Sequence, residues 1–172
     1  MKFTDYYNTI LEAKRDKEPK SNVRLPDGTW RRVNSSGDVF YSKTKNGSNK
    51  HRLDGPAVEW SEGRKEWYVN GKRHCLDGPA IEWLDGSNLW YVNNKLHRLD
   101  GPAIIGADGS KRWYVNDKLH RLDGPAIEYA NGSKYWFVDD KEYSEEDFNA
   151  IFGVSKDTAI IKQRTASNNL FM

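Results

Sequence analysis

The residues best suited to chemistry are four histidines. His51, His74, His97 and His120 recur at a fixed interval of 23 residues, and each is followed three positions later by an aspartate: Asp54, Asp77, Asp100 and Asp123. Such a ladder raises the question of metal binding. If each interval supplies two strands at ~4.8 Å spacing, equivalent residues stand roughly 10 Å apart. A shared zinc needs every ligand nitrogen at ~2.0–2.1 Å, so neither a metal site nor a cofactor is expected. A local bond from each histidine to the aspartate three residues on is the expectation instead. Cys75 is the sole cysteine, which excludes a disulfide framework and a cysteine zinc site. The Asp-Gly-Pro elements lack the spacing of a phosphate-cradling loop. No serine or cysteine stands beside a base that would activate it. The sequence therefore offers no catalytic residue and is read as a binding protein, not an enzyme.

The interval that spaces the histidines also organises the chain. It reads HRLDGPAVEWSEGRKEWYVNGKR from His51, HCLDGPAIEWLDGSNLWYVNNKL from His74, HRLDGPAIIGADGSKRWYVNDKL from His97 and HRLDGPAIEYANGSKYWFVDDKE from His120. A repeat of this length means a stack of one small unit in which each copy buries surface against its neighbours. Every copy holds two turn signals. One is Asp-Gly-Ser or a variant. The other is Asn70-Gly71, Asn93-Asn94, Asn116-Asp117 or Asp139-Asp140, pairs that tolerate positive φ. Short β-branched and aromatic runs lie between, so each copy is a β-hairpin unit. The Leu-Asp-Gly-Pro segment bends the chain, because proline cannot donate to a central ladder.

Period-two alternation assigns faces. Val58, Ile81, Ile104 and Ile127 fall with Trp60, Trp83 and Tyr129. Together with Trp67, Trp90, Trp113 and Trp136, and with Val69, Val92, Val115 and Val138, they are expected to form the packed face. Tyr68, Tyr91, Tyr114 and Phe137 then form an outer aromatic row beside Glu59, Glu82 and Glu128. Gly106 stands where the other copies carry an aromatic, which predicts a notch.

The expected fold is mainly β: a single-layer antiparallel hairpin array with short terminal helices. Residues 1–22 form a helix (3–16, with Thr4 as N-cap) and a linker, and residues 23–50 a degenerate first repeat. In that repeat Tyr41 is aligned with Tyr68 and four residues are inserted before His51. Residues 51–142 are the four full repeats. Residues 143–172 hold a short helix, capped by Ser144 and ended by Gly153, with Phe148, Ile151 and Phe152 as its apolar side, and then a tail.

With the repeat in view, the chain resembles MORN repeats and their bacterial and phage variants. The matching residues are Asn70-Gly71-Lys72-Arg73-His74 and Asp85-Gly86-Ser87 with their equivalents, over about residues 23–142. The glycines of that family's Tyr-x-Gly-x-Trp segment are missing, and the Leu-Asp-Gly-Pro insert takes up the length. The resemblance implies an elongated single-layer array that acts as an interaction scaffold, sometimes linked to membrane lipids, and it implies no chemistry. The branch it is similar to occurs in small bacterial and large-phage proteins, which sets the expectation of a phage-encoded modulator of a host protein.

Composition agrees with a thin fold. The mean hydropathy is −0.90, yet the chain carries 7 Trp, 9 Tyr and 6 Phe, too aromatic for a disordered segment. The net charge is only +2, but residues 1–52 carry +6 and the remainder −4. No apolar run reaches membrane-spanning length, and the N-terminus lacks the apolar core of a secretory signal. A soluble, cytoplasmic protein is expected.

Three surfaces could then bind something. Tyr68, Tyr91, Tyr114 and Phe137, with the variable positions Leu89, Arg112 and Tyr135 (Glu66 in the first full repeat), would engage a protein partner. Ser61, Leu84, Ala107 and Ala130 vary in the same way. Arg31, Arg32, Lys43, Lys45 and Lys50 could meet nucleic acid or an anionic membrane. The Gly106 notch could hold a small ligand.

Overall fold

The computed structural model describes residues 22–153. The expected N-terminal helix and the tail beyond Gly153 lie outside the described residues. Eighteen short strands and one helix make up the rest. β1 (Asn22–Arg24), β2 (Trp30–Val33) and β3 (Val39–Ser42) open the chain. Each full repeat then contributes two strands to a common sheet and two to a small hairpin. The sheet strands are β4 (Val58–Glu59) and β5 (Lys65–Glu66), β8 (Ile81–Glu82) and β9 (Asn88–Leu89), β12 (Ile104–Ile105) and β13 (Lys111–Arg112), β16 (Ile127–Glu128) and β17 (Lys134–Val138). The hairpins are β6 (Tyr68–Val69) with β7 (Lys72–Arg73), β10 (Tyr91–Val92) with β11 (Lys95–Leu96), β14 (Tyr114–Val115) with β15 (Lys118–Leu119), and the end of β17 with β18 (Lys141–Tyr143). The common sheet has 12 strands in the order β1-β2-β3-β4-β5-β8-β9-β12-β13-β16-β17-β18, antiparallel throughout.

Both turn signals work, with different geometries. The second is a two-residue hairpin loop in which both central residues take positive φ: 52° and 78° at Asn70-Gly71, 52° and 70° at Asn93-Asn94, 53° and 70° at Asn116-Asp117, 51° and 67° at Asp139-Asp140. That is the mirror-image turn whose twist matches the flanking strands. The first is a three-residue loop. In it Gly86 N–H donates to Trp83 O at 3.1 Å, Trp83 N–H donates to Ser87 O at 2.9 Å, and Gly86 sits at φ +89°. Asp85 Oδ1 accepts Ser87 N–H at 2.8 Å and stiffens the loop.

That three-residue loop corrects the expected faces. It opposes Ile81 to Leu89, and Ile104 to Leu89 and Arg112. A two-residue Asp-Gly loop would oppose Ile81 to Trp90, and a one-residue slip turns every side chain over. One face, the isoleucine face, therefore holds Val58, Ile81, Ile104 and Ile127 together with Glu66, Leu89, Arg112 and Tyr135. By alternation Tyr68, Tyr91, Tyr114 and Phe137 are on that face too. Trp67, Trp90 and Trp113 lie on the opposite face with Glu59, Glu82 and Glu128; we call it the arginine face.

The degenerate repeat also differs from expectation. His51 N–H donates to Tyr41 O at 3.0 Å, as His74 N–H does to Trp67 O at 3.1 Å. Tyr41 therefore holds the tryptophan place rather than the Tyr68 place. Ser42 pairs with Lys50 where Tyr68 pairs with Arg73, so the inserted loop is three residues longer, not four.

A single layer leaves little interior. Val58 is the one large side chain among the described residues that is fully buried, in a cluster with Tyr41, Ala57 and Tyr68. Such a side chain contributes about 1.5–3 kcal/mol. Ile81, Trp113 and Ile127 are buried as well, and backbone ladders and cations stacked on rings add to this burial. At the C-terminal end, α1 (Glu145–Phe152) begins as expected: Ser144 Oγ accepts Asp147 N–H at 3.0 Å, and three acids fill the first turn. Phe148 is buried, and Phe152 meets it at 5.2 Å and Tyr143 at 5.5 Å. Ile151, expected on the apolar side, is exposed. The helix packs on β17 and β18, closing the end of the sheet rather than covering its face.

Candidate functional site

The histidines are structural clasps. His51 Nδ1 accepts Asn70 N–H at 3.0 Å and His74 Nδ1 accepts Asn93 N–H at 3.3 Å. His97 Nδ1 faces Asn116 N–H at 3.3 Å and Asn116 Oδ1 at 3.1 Å, and His120 Nδ1 faces Asp139 Oδ1 at 3.1 Å. The partner is thus the turn 19 residues on, not the aspartate three residues on. Burial holds the His51 imidazole below its ordinary pKa, with Lys43 adding to the effect and Asp27 opposing it. Burial lowers His97 as well. No group of three or more His, Cys, Asp or Glu among the described residues is placed to hold a metal ion.

The turns clasp back a second time. Asn94 Oδ1 accepts Arg73 N–H at 2.6 Å, Asp117 Oδ1 accepts Leu96 N–H at 2.7 Å and Asp140 Oδ1 accepts Leu119 N–H at 2.8 Å. The backbone N–H of each of these three residues donates to the carbonyl of the same partner at 2.9–3.0 Å. Gly71, which has no side chain, keeps only the backbone half, to Lys50 O at 2.8 Å.

The aspartates of Leu-Asp-Gly-Pro serve arginines. Nε of Arg52, Arg98 and Arg121 donates to Asp54, Asp100 and Asp123 at 2.8, 2.9 and 2.8 Å. Their Nη1 donates to the carbonyls of Pro56, Pro102 and Pro125 at 3.3, 3.3 and 3.1 Å. Arg52 and Arg121 also reach Glu59 and Glu128 at 3.0 Å. Each guanidinium lies on a ring of the preceding repeat: Tyr41 at 4.1 Å, Trp90 at 4.1 Å and Trp113 at 3.9 Å. This is the packing of the arginine face.

On the isoleucine face the structure brings the seven predicted partner-binding residues together but covers part of them. Tyr68 is buried, and Tyr91, Tyr114, Phe137, Leu89 and Arg112 are half-buried. Tyr135 is 41 % exposed, as is Trp83, and Tyr129 is 38 % exposed. The aromatic row is therefore not an outer row; its exposed members are the ones beside it. They form two clusters. Arg64 lies between Trp60 and Trp83 at 4.4 and 4.5 Å. Arg112 lies over Tyr129 at 5.6 Å, and Tyr129 meets Tyr135 edge-on at 5.9 Å. Gly106 separates them. A Cβ there would stand 2.5 Å from Asp108 Oδ1 and 2.7 Å from Ser110 Oγ, so the expected notch is filled by its own turn.

Glu66, read from sequence as an exposed variable position, is buried. Its carboxylate accepts Tyr68 Oη–H at 2.7 Å and Trp60 Nε1–H at 2.9 Å, with Arg64 at 3.4 Å and Arg73 at 3.5 Å. Burial alone would raise its pKa; the two hydrogen bonds and two cations outweigh it and hold the carboxyl below its usual value. Burial and the bond to Glu66 push Tyr68 up to about 12.

The basic residues do not form one patch. Arg31 and Arg32 are adjacent on β2 and point to opposite faces; they oppose Tyr41 and Phe40 respectively. Arg32 lies over Phe40 at 5.1 Å, Lys45 over Trp30 at 5.6 Å and Lys50 over Tyr68 at 4.8 Å. Lys43 donates to Asn70 Oδ1 at 2.6 Å. No helix among the described residues is long and apolar enough to cross a membrane.

Comparison of the chain with protein-family models finds no match, and none is found among curated proteins. The resemblance noted above therefore rests on the residues themselves.

Proposed function

We propose that this chain is a non-enzymatic protein-binding scaffold that grips its partner through the isoleucine face. The carrying observation is the pair of aromatic–arginine clusters, Arg64–Trp60–Trp83 and Arg112–Tyr129–Tyr135, which present the exposed rings of Trp83, Tyr129 and Tyr135 on one sheet with Gly106 between them. Trp83 and Tyr129 are two repeats apart, roughly 20 Å along the sheet at two strands per repeat. Aromatic and arginine side chains dominate binding energy at protein interfaces, and side chains already ordered on a hydrogen-bonded sheet carry a smaller ordering cost on binding. The MORN-like reading of the repeat points the same way. Its bacterial and phage variants give the proposal a setting: a phage-encoded modulator or inhibitor of a bacterial host protein.

The test is a tagged pull-down from bacterial lysate, with and without nuclease, using the parent chain and a Tyr129→Ala/Tyr135→Ala variant. The expected result is one stoichiometric protein that survives nuclease and moderate salt and is lost with the variant, whose circular dichroism stays unchanged. Capture that vanishes with nuclease, or that Lys43, Lys45 and Lys50 neutralisation alone removes, would transfer the function to polyanion binding.

A further inference from the structure

Three of the four full repeats carry the arginine described above, and the second, from His74, does not. Cys75 stands where Arg52, Arg98 and Arg121 stand. The backbone around it is unchanged. Cys75 N–H donates to Tyr91 O at 3.2 Å, against 3.1 Å for each of the three arginines to Tyr68, Tyr114 and Phe137. Trp67 N–H donates to Ala80 O at 2.8 Å, as Trp90 does to Ala103 and Trp113 to Ala126.

The arginine's partners are also retained. Asp77 holds the place of Asp54, Pro79 that of Pro56, Glu82 that of Glu59, and Trp67 that of Trp90 and Trp113. Among the described residues neither Asp77 nor Glu82 forms an ion pair, and no cation lies over Trp67.

The space is open. In the other repeats a Cβ on the loop glycine would meet the arginine: Gly55 at 3.0 Å from Arg52 Cζ, Gly101 at 3.0 Å from Arg98 Cζ and Gly124 at 3.2 Å from Arg121 Cζ. At Gly78 nothing lies within 4 Å. A cleft of about 460 Å³ borders the same loop on the side of the following repeat, lined by Cys75, Asp77, Gly78 and Pro79 together with Trp90 and Arg98. Leu76 beside it is 73 % exposed.

We propose that this vacancy is a receptor for a guanidinium, filled by an arginine side chain of a partner protein. Arg121 shows the complete bound geometry: a flat cation on an indole, its Nε on an aspartate, its Nη1 shared between a proline carbonyl and a glutamate. The planar fork of arginine satisfies that set, whereas a lysine ammonium offers one compact point charge and no plane to stack. The inference rests on the reading of the chain as a protein-binding scaffold and adds a contact on the face opposite the aromatic clusters.

The test needs no partner. The Trp67 indole N–H resonance, assigned with Trp67→Phe, is followed while N-acetyl-arginine methylamide is added, with the citrulline analogue as the uncharged control. A saturable shift with a dissociation constant on the order of millimolar is expected for the arginine probe and none for citrulline. Cys75→Ala should bind as the parent does. Cys75→Arg should abolish the shift and raise the thermal midpoint. If Cys75→Arg fails to fold, Glu82→Gln serves instead, weakening the probe about tenfold through loss of one charged acceptor. No shift with the parent chain, or an equal shift with citrulline or with Cys75→Arg, overturns the proposal. Binding seen only after Arg15→Ala/Arg164→Ala would assign the site to the chain's own termini and overturn the partner's role. A failed pull-down alongside a saturable probe would reject the scaffold reading alone.

Discussion

His51 Nδ1 accepts the backbone N–H of Asn70 at 3.0 Å, so a ring at the start of one repeat is tied to the turn at its far end. The bond requires an unprotonated Nδ1, and burial already lowers the pKa of His51 and of His97. The unfolded chain, with ordinary imidazoles near ~6.5, therefore takes up protons first. The stability these two sites contribute is complete above that value and falls as the pH drops below it. The thermal midpoint should fall between pH 7.5 and pH 5.5, and His51→Gln/His97→Gln, which keeps an acceptor but cannot titrate, should flatten the fall. An identical pH profile in that double variant would show that the histidines are not responsible.

Glu66 is a buried carboxylate of the isoleucine face, and it is surrounded by groups that need it. Glu66→Leu, which copies Leu89 of the next repeat, should cost about 3 kcal/mol because Arg64 and Arg73 lose their counter-charge. Adding Arg64→Ser and Arg73→Leu completes the copy of that repeat and should recover most of the loss. Urea unfolding of the single and triple variants decides it; equal midpoints for the two would show that the carboxylate and the cations act independently.

The turn residue Asn94 carries two separable loads, a positive φ of 70° and a side-chain bond to Arg73 N–H at 2.6 Å. Asn94→Gly removes only the bond and should cost about 1 kcal/mol. Asn94→Ala removes the bond and strains the backbone, and should cost about 2 kcal/mol. If glycine proved as costly as alanine in thermal unfolding, the φ term would be absent.

Phe148 anchors α1 on the last strands and is 3 % exposed. Phe148→Ala should free the helix and expose β17 and β18, so their amides exchange faster while those of β8 and β9 keep their protection. Uniform acceleration across all repeats would mean that the sheet unfolds as one unit.

Much of this architecture is legible from residues. The repeat, the positive-φ Asn and Asp pairs and the Ser144 cap follow from local chemistry that needs no knowledge of neighbours. What fails is phase. The alternation within each strand is correct, but which tryptophan shares a face with Ile81 depends on whether the Asp-Gly loop has two residues or three. The Trp83–Ser87 bond settles that by a single residue. The histidine partners were hidden for a related reason: Asn70 is near His51 only once the hairpin has closed. Glu66 looked like a surface variable because its partners Trp60, Tyr68, Arg64 and Arg73 converge on it from both of its neighbouring turns. The arginine ladder could have been found from sequence, since Arg, Asp, Pro and Glu hold fixed offsets and Cys75 alone breaks the series.

The clasp from each turn to the residue 21 positions before it has one more consequence. These clasps join nearest-neighbour repeats at a constant offset, and none depends on where a copy begins. A tandem duplication of any 23-residue window within the array, cut at any point, would give each new copy the backbone half of this clasp on both sides. Array length is thus decoupled from stability per copy, and a chain of this kind can be lengthened or shortened by slippage of its coding sequence without passing through a form that cannot fold.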